Sequence, residues 1–114
     1  MEEEVKSNGG TIEENAKIDQ ARSLSGIGFS YAGQGKVNEA LKYFKKALVI
    51  REELYPNKND LSIAFSLEQI ASAYETLGDI DTATEYQKKA VIVRAAVYGH
   101  DTLKRDADGL SLMV

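Results

Sequence analysis

Residue types that often define chemistry are scarce in this chain of 114 residues. It has no cysteine, which excludes disulfides and thiolate metal sites. His100 is the single histidine, so no second imidazole exists to complete a metal site with it. Pro56 is the single proline, and its isolation allows long helices over most of the chain.

Long apolar runs are also missing, since no stretch approaches the ~18–20 residues of a membrane span. The start, MEEEVKSNGG, lacks the apolar core of a secretory signal, and residues 1–10 are expected to form a disordered acidic tail. The net charge of −4 argues against a nucleic-acid partner, which would favour a basic excess. These features predict no membrane insertion and a cytoplasmic location, although an organelle location after removal of a transit peptide stays open.

The residues that are present predict helices, because apolar positions recur at intervals of three and four. Two helix pairs are expected, at about residues 16–55 and 61–98, which makes the fold class all-α. Pro56 separates the pairs, and helix ends are expected at the glycines of positions 33, 35, 78 and 99. The expected N-terminal caps are Thr11, which forms a capping box with Glu14, then Asn38, Asp60 and Asp81.

The second helix pair repeats the first at a fixed shift of 43 residues. The repeated positions hold alanine where helices cross, glycine where a turn needs positive φ, and large side chains between the helices. Such identity at one shift marks a repeat protein. The matched pairs include Ala21 and Ala64, Ser23 and Ser66, Leu24 and Leu67, Ile27 and Ile70, Tyr31 and Tyr74, Gly35 and Gly78, Ala40 and Ala83, Tyr43 and Tyr86, Ala47 and Ala90, and Arg51 and Arg94.

This pattern resembles the tetratricopeptide repeat, whose units are about 34 residues long. The first copy reads Leu24, Ile27-Gly28, Tyr31, Gly35, Ala40, Phe44, Ala47, and the second reads Leu67, Ile70-Ala71, Tyr74, Gly78, Ala83, Gln87, Ala90. The resemblance covers residues 16–100 and implies an α-solenoid of antiparallel helix pairs. Both units are longer than usual and lack the closing proline, which resembles the long-unit subclass of kinesin light chains and nephrocystin-like proteins.

Two features depart from a simple pair of units. Gln87 replaces the aromatic residue of the pattern, and we expect a partly exposed side chain bonded to a neighbour. Residues 101–114 are expected to form a C-terminal capping helix or the start of a third unit, with Asp101 as its cap. Their apolar positions Ala107, Leu110 and Met113 fall one further shift beyond Ala64, Leu67 and Ile70.

Catalytic chemistry is not predicted, and neither is a cofactor. The stretch GIGFSYAGQG has the glycine spacing of a phosphate loop, but Gln34 and Gly35 stand where Lys and Ser or Thr are needed. His100 with Asp101 is expected to be an exposed residue near a helix end. No set of nucleophile, base and acid has a recognisable spacing, so the chain is not expected to be an enzyme.

The resemblance implies that the first helix of each unit lines a concave groove for a peptide or protein partner. Phe29 and Phe65 stand out there, because aromatic residues off the core stripe either anchor a peptide or cover a neighbouring segment. The lysine and asparagine residues of chaperone-binding members are missing, as are the paired asparagines of kinesin light chains, so their ligands are not expected. The predicted groove residues are Arg22, Ser25, Gly26, Phe29, Phe65, Glu68, Gln69, Ser72 and Glu75, with Ala32, Gly33 and Thr76 beside them.

Two further interaction surfaces stay open. The repeated pairs Lys45-Lys46 and Lys88-Lys89 form either a solvated basic ridge or a surface for an acidic partner. Repeat stacks expose an apolar side at each end, and two units plus a helix make a short stack. The second hypothesis is therefore a self-association module, a homodimer or a stack through the repeat ends, for example by exchange of the last helix.

Overall fold

Four α-helices follow one another along the chain. A computed structural model describes the backbone of residues 10–113 and the side chains of residues 10–99. The helices are α1 (Ile12–Gly33), α2 (Val37–Leu54), α3 (Leu61–Leu77) and α4 (Ile80–Met113). No strand occurs in that part of the chain, so the all-α prediction is confirmed. The predicted disordered tail lies, except for Gly10, outside the described residues.

Two predicted N-terminal caps are confirmed. Thr11 accepts a hydrogen bond from the Glu14 backbone at 3.0 Å, and Glu14 accepts one from the Thr11 backbone at 2.9 Å, which completes the capping box. Asp60 accepts a hydrogen bond from the backbone N–H of Ser62 at 2.9 Å and so caps α3. Because this capping box is present, α1 begins at Ile12, about one turn before the strong apolar pattern that starts near residue 16.

The other two predicted caps are wrong. Asn38 lies inside α2, whose cap position is Lys36. Asp79 stands before the first residue of α4 and accepts a hydrogen bond from the Thr82 backbone at 3.2 Å, so it takes the role predicted for Asp81. The reason is the shortness of both turns, in which a single residue separates the turn glycine from the next helix.

The turn glycines adopt the expected conformation, with φ of +79° at Gly35 and +89° at Gly78. Gly99 does not, and α4 continues through it to Met113. The predicted helix end at Gly99 and the separate helix capped by Asp101 are therefore wrong. A glycine inside a helix costs about 1 kcal/mol relative to alanine, which does not suffice to end a helix. The side-chain register of residues 101–113, and their role as cap or third unit, stays a prediction.

Consecutive helices form two antiparallel pairs, as predicted. Residues early in α1 contact residues late in α2 and the reverse: Lys17 with Glu53, Ser25 with Arg51, Tyr31 with Tyr43. The second pair repeats this geometry, because the Tyr74 and Tyr86 rings stack at 5.7 Å and the Tyr31 and Tyr43 rings at 5.6 Å. The two units therefore share their internal packing as well as their residues.

Small residues bring the helices close together. The repeated alanines are buried, and a Cβ atom added at Gly28 would lie 2.6 Å from the Phe44 ring. The two units join where Phe44 and Ala40 of α2 pack against Ile70 and Ala73 of α3. The buried alanines are Ala21, Ala40, Ala47, Ala64, Ala83 and Ala90.

Two apolar residues of the predicted core stripes, Ile27 and Val91, are exposed. Ile27 in α1 is exposed, although its repeat counterpart Ile70 is fully buried. Ile70 is covered by α2 of the preceding unit, whereas no described helix precedes α1. Whether a matched position of the repeat is buried thus depends on the neighbouring unit and not on the local sequence pattern alone.

Candidate functional site

An open groove of about 340 Å³ lies between α1, α2 and α3. Phe29 of α1 and Phe65 of α3 line it, and both are exposed, by 70% and 47%. Apolar residues of the unit interface and polar residues of α3 complete the lining, so the groove has apolar and polar parts. The other lining residues are Ala32, Val37, Phe44, Glu68, Gln69, Ser72, Ala73 and Thr76.

The structure brings together five of the nine predicted groove residues, namely Phe29, Phe65, Glu68, Gln69 and Ser72. Arg22 lies outside this groove and lines a separate concavity of α1 and α2. Gly26 and Glu75 are exposed but do not line the groove.

Ser25 requires a correction, because it is buried rather than exposed on the groove surface. Its hydroxyl accepts a hydrogen bond from Arg51 Nη1 at 3.1 Å, and the same nitrogen donates to Ser66 Oγ at 2.8 Å. Ser25 therefore belongs to a polar contact that joins α1, α2 and α3. Helical spacing alone places Ser25 near the exposed face, but it does not show that a long side chain from α2 covers it.

Sequence reasoning missed the contribution of α2 to the groove. Val37 and Phe44 line it because α2 starts at its edge. The sequence shows Arg51 as a repeated residue, but it does not predict that Arg51 links the two units. An arginine at the same place in two apolar stripes is the signal that could have indicated such a contact.

The carboxylate in the groove already has a partner. Arg94 donates to both Glu68 oxygens, through Nε at 2.7 Å and Nη2 at 2.8 Å. These bonds hold the pKa of Glu68 below its usual range and raise the pKa of Arg94. Next to Glu68, the Gln69 Oε1 atom is buried and has no hydrogen-bond partner within the described part of the chain.

The lysines of the predicted basic ridge contact tyrosine rings. Lys46 lies 5.2 Å from the centre of the Tyr43 ring, and Lys89 repeats this over Tyr86 at 4.9 Å. Lys45 donates to the Tyr74 hydroxyl at 2.7 Å, which raises the Lys45 pKa. Lys45, Lys46 and Lys89 thus have partners within the chain, and an acidic external partner for the ridge stays a prediction.

Metal binding and membrane insertion find no support in the residues that the structure describes. Among them, no three His, Cys, Asp or Glu side chains cluster as metal ligands would. No helix in the same region combines the length and the apolar character that crossing a membrane requires. The predicted exposure of His100 concerns a side chain outside the described residues.

Paired antiparallel helices, repeated with the same ring stacking and the same turn glycines, define an α-helical repeat protein. A family model described as tetratricopeptide repeat matches residues 19–96, and the chain belongs to this family. Repeats of this family generally mediate protein–protein interaction and are typically non-catalytic. No curated protein and no solved structure matches the chain.

Proposed function

We propose that this chain is a non-catalytic adaptor that binds a peptide or protein segment in the groove lined by Phe29 and Phe65. The observation that supports this most is the exposure of Phe29, an aromatic side chain beside a concave surface between two units. Aromatic side chains are among the commonest anchors of protein interfaces. The groove volume of about 340 Å³ lies in the range of ligand pockets and is suited to one or two side chains of a partner.

The lining suggests the chemistry of the bound segment. Between the two phenylalanines, the segment would place an apolar side chain. The Ser72 and Thr76 side chains lie along the same groove. The Ser72 hydroxyl can bond the backbone of the segment, and the Thr76 hydroxyl, which donates to the Ser72 carbonyl at 3.0 Å, can still accept a hydrogen bond from it. Rotation of the Gln69 amide would turn its unpaired Oε1 atom toward a backbone N–H of the ligand.

The test is selection of peptides from a displayed random library with the full chain as bait. Selected peptides should bind at least about tenfold more weakly to Phe29→Ala and to Phe65→Ala, because truncation of an anchor costs about 1.4 kcal/mol or more. Val49→Ala is the matched control, since Val49 is an exposed apolar residue of α2 outside the groove. Peptides that bind all three variants equally well would contradict the groove proposal.

Self-association is the second candidate, and the exposed face of α4 favours it. Leu48 and Phe44 of α2 are covered by the next unit, whereas their repeat counterparts Val91 and Gln87 in α4 are exposed. Val91 and the neighbouring Ile92 are 62% and 67% exposed. In the repeat, this face is the one that the first helix of another unit covers. We expect Gln87 to be partly exposed and bonded to a neighbour, and its side chain is exposed.

A further inference from the structure

Arg51 is a buried positive charge without a carboxylate partner. The residue is 8% exposed, and no carboxylate lies within 4.0 Å of it among the described side chains. Its Nη1 atom donates to the neutral hydroxyls of Ser25 and Ser66. Burial lowers the Arg51 pKa, the charge of Arg22 lowers it further, and the charges of Asp60 and Tyr55 oppose both. Neutral hydroxyls satisfy hydrogen bonds, but they do not compensate a buried charge.

The second unit provides an internal comparison. Arg94 is the repeat counterpart of Arg51, and Glu68 is the counterpart of Ser25 at the same shift of 43 residues. In that unit the carboxylate of Glu68 pairs with Arg94 through two hydrogen bonds. The first unit has a serine at this position, so Arg51 bonds neutral hydroxyls where Arg94 bonds a carboxylate, and its charge is left for an external anion to compensate.

Space for such an anion exists beside Arg51. A concavity of about 180 Å³ is lined by Arg22, Arg51, Tyr55 and Ser62, with Ile18 and Leu54 as its apolar walls. Arg22 is exposed, and its ion pair with Asp19 is long at 3.8 Å. Asp60 is the nearest acidic residue that acts on Arg51, but it is engaged as the cap of α3 through Ser62.

The concavity shares no lining residue with the groove, but the two are adjacent, because the ring centre of Phe65, which lines the groove, lies 6.0 Å from the Arg51 guanidinium carbon. Arg22 and Phe29 are seven residues apart on α1, which corresponds to about 10 Å along a helix. An extended segment covers that distance with about three residues. One bound segment can therefore reach both surfaces.

We infer that Arg22 and Arg51 form a carboxylate site at the unit junction, which binds an acidic side chain about three residues from the apolar anchor of the bound segment. This inference rests on the proposed function of the groove. It narrows the partner to a segment with one apolar residue and one glutamate or aspartate at that separation.

The experiment uses the isotope-labelled full chain and capped hexapeptides, followed by nuclear magnetic resonance. Each peptide contains one phenylalanine and, three residues before or after it, either glutamate or glutamine. One of the two glutamate peptides should bind more tightly than the other. That peptide should bind about fivefold more tightly than the glutamine peptide of the same spacing, as a partly exposed ion pair allows. It should also shift the Arg51 Nε–H signal, which the glutamine peptide and sodium acetate at equal concentration should leave in place.

Ser25→Glu is the decisive variant, because it copies the arrangement of Glu68 and Arg94 into the first unit. It should abolish the preference for glutamate, whereas the control Ser23→Glu, which adds the same charge at an exposed position two residues away, should retain it. Arg22→Gln should reduce the preference and serves as the test if Ser25→Glu does not fold.

The outcomes separate this inference from the proposed function. Equal binding of both peptides, with shifts at Phe29 and Phe65, would overturn the carboxylate site and support the groove. A glutamate preference that survives in Ser25→Glu would also overturn the site. Failure of both peptides to shift any groove signal would count against both the site and the groove.

Discussion

At the scale of single residues, Gly28 marks a close approach of α1 and α2. A Cβ atom at this position would lie 2.6 Å from two carbons of the Phe44 ring and 3.0 Å from the Ala40 carbonyl. Gly26, two residues earlier in the same helix, has no atom within 4 Å of such a Cβ. The two glycines therefore form a matched pair with opposite environments.

Gly28→Ala should lower the free energy of unfolding by about 1–3 kcal/mol, because the added methyl group overpacks the helix contact. Gly26→Ala should leave it unchanged or raise it by up to about 1 kcal/mol, since alanine favours the helix and meets no neighbour. Urea denaturation of both variants measures the difference. Equal effects would show that α1 and α2 do not cross at Gly28.

The ion pair of Glu68 and Arg94 predicts a pH dependence. The Glu68 pKa is lowered in the folded chain, so its contribution is present above its ordinary value of 4.5 and is lost as the pH falls through the lowered pKa. Glu68→Gln should therefore be less stable than the wild type at about pH 7, with a difference that shrinks as the pH falls below 4.5. The exposed Glu85 provides the control variant Glu85→Gln, which should show no such convergence. A difference for Glu68→Gln that is independent of pH would contradict the ion pair.

At the scale of helices, the caps can be tested against each other. Asp60→Ala should destabilise the fold by about 1 kcal/mol, because α3 loses the side-chain bond to its first turn. Asn38→Ala should have no such cost, since Asn38 lies inside α2 and caps nothing. Thermal and urea unfolding measure both. A larger loss of stability for Asn38→Ala than for Asp60→Ala would support the sequence-based prediction that Asn38 caps α2.

The sequence predicted the four helices because their signals are local: apolar spacing, turn glycines and Pro56. It did not predict the end of α4, since Gly99 resembles a helix end in sequence but does not take positive φ. It placed the caps of α2 and α4 two residues too late, because several polar residues lie near each turn. Which of them precedes the helix depends on the turn backbone.

The groove was predictable only in part, because some of its residues are positioned by contacts that are distant in sequence. Phe29, Phe65 and Ser72 follow from helical spacing and the family resemblance. The burial of Ser25 does not follow from them, because it depends on Arg51, which lies 26 residues further along the chain. Likewise, nothing local in the sequence distinguishes the exposed Ile27 from the buried Ile70, whose environments differ by the presence of a preceding unit.

At the scale of the whole molecule, the exposed face of α4 predicts self-association of the chain. Val91→Asp combined with Ile92→Asp should shift any dimer toward monomer, because charged residues oppose burial of this face. Phe29→Ala, which alters the groove instead, should leave the association unchanged. Sedimentation at several concentrations measures both. An association that the α4 variant does not weaken would exclude this face as its basis.

The central claim is that a partner segment lies between Phe29 and Phe65 in the groove of the two units. The most direct measurement is the set of intermolecular nuclear Overhauser contacts between the labelled chain and a library-selected peptide. The account predicts contacts from an apolar side chain of the peptide to both phenylalanine rings and to the methyl group of Thr76. Contacts confined to Val91 and Ile92 on α4, with none to either ring, would contradict it.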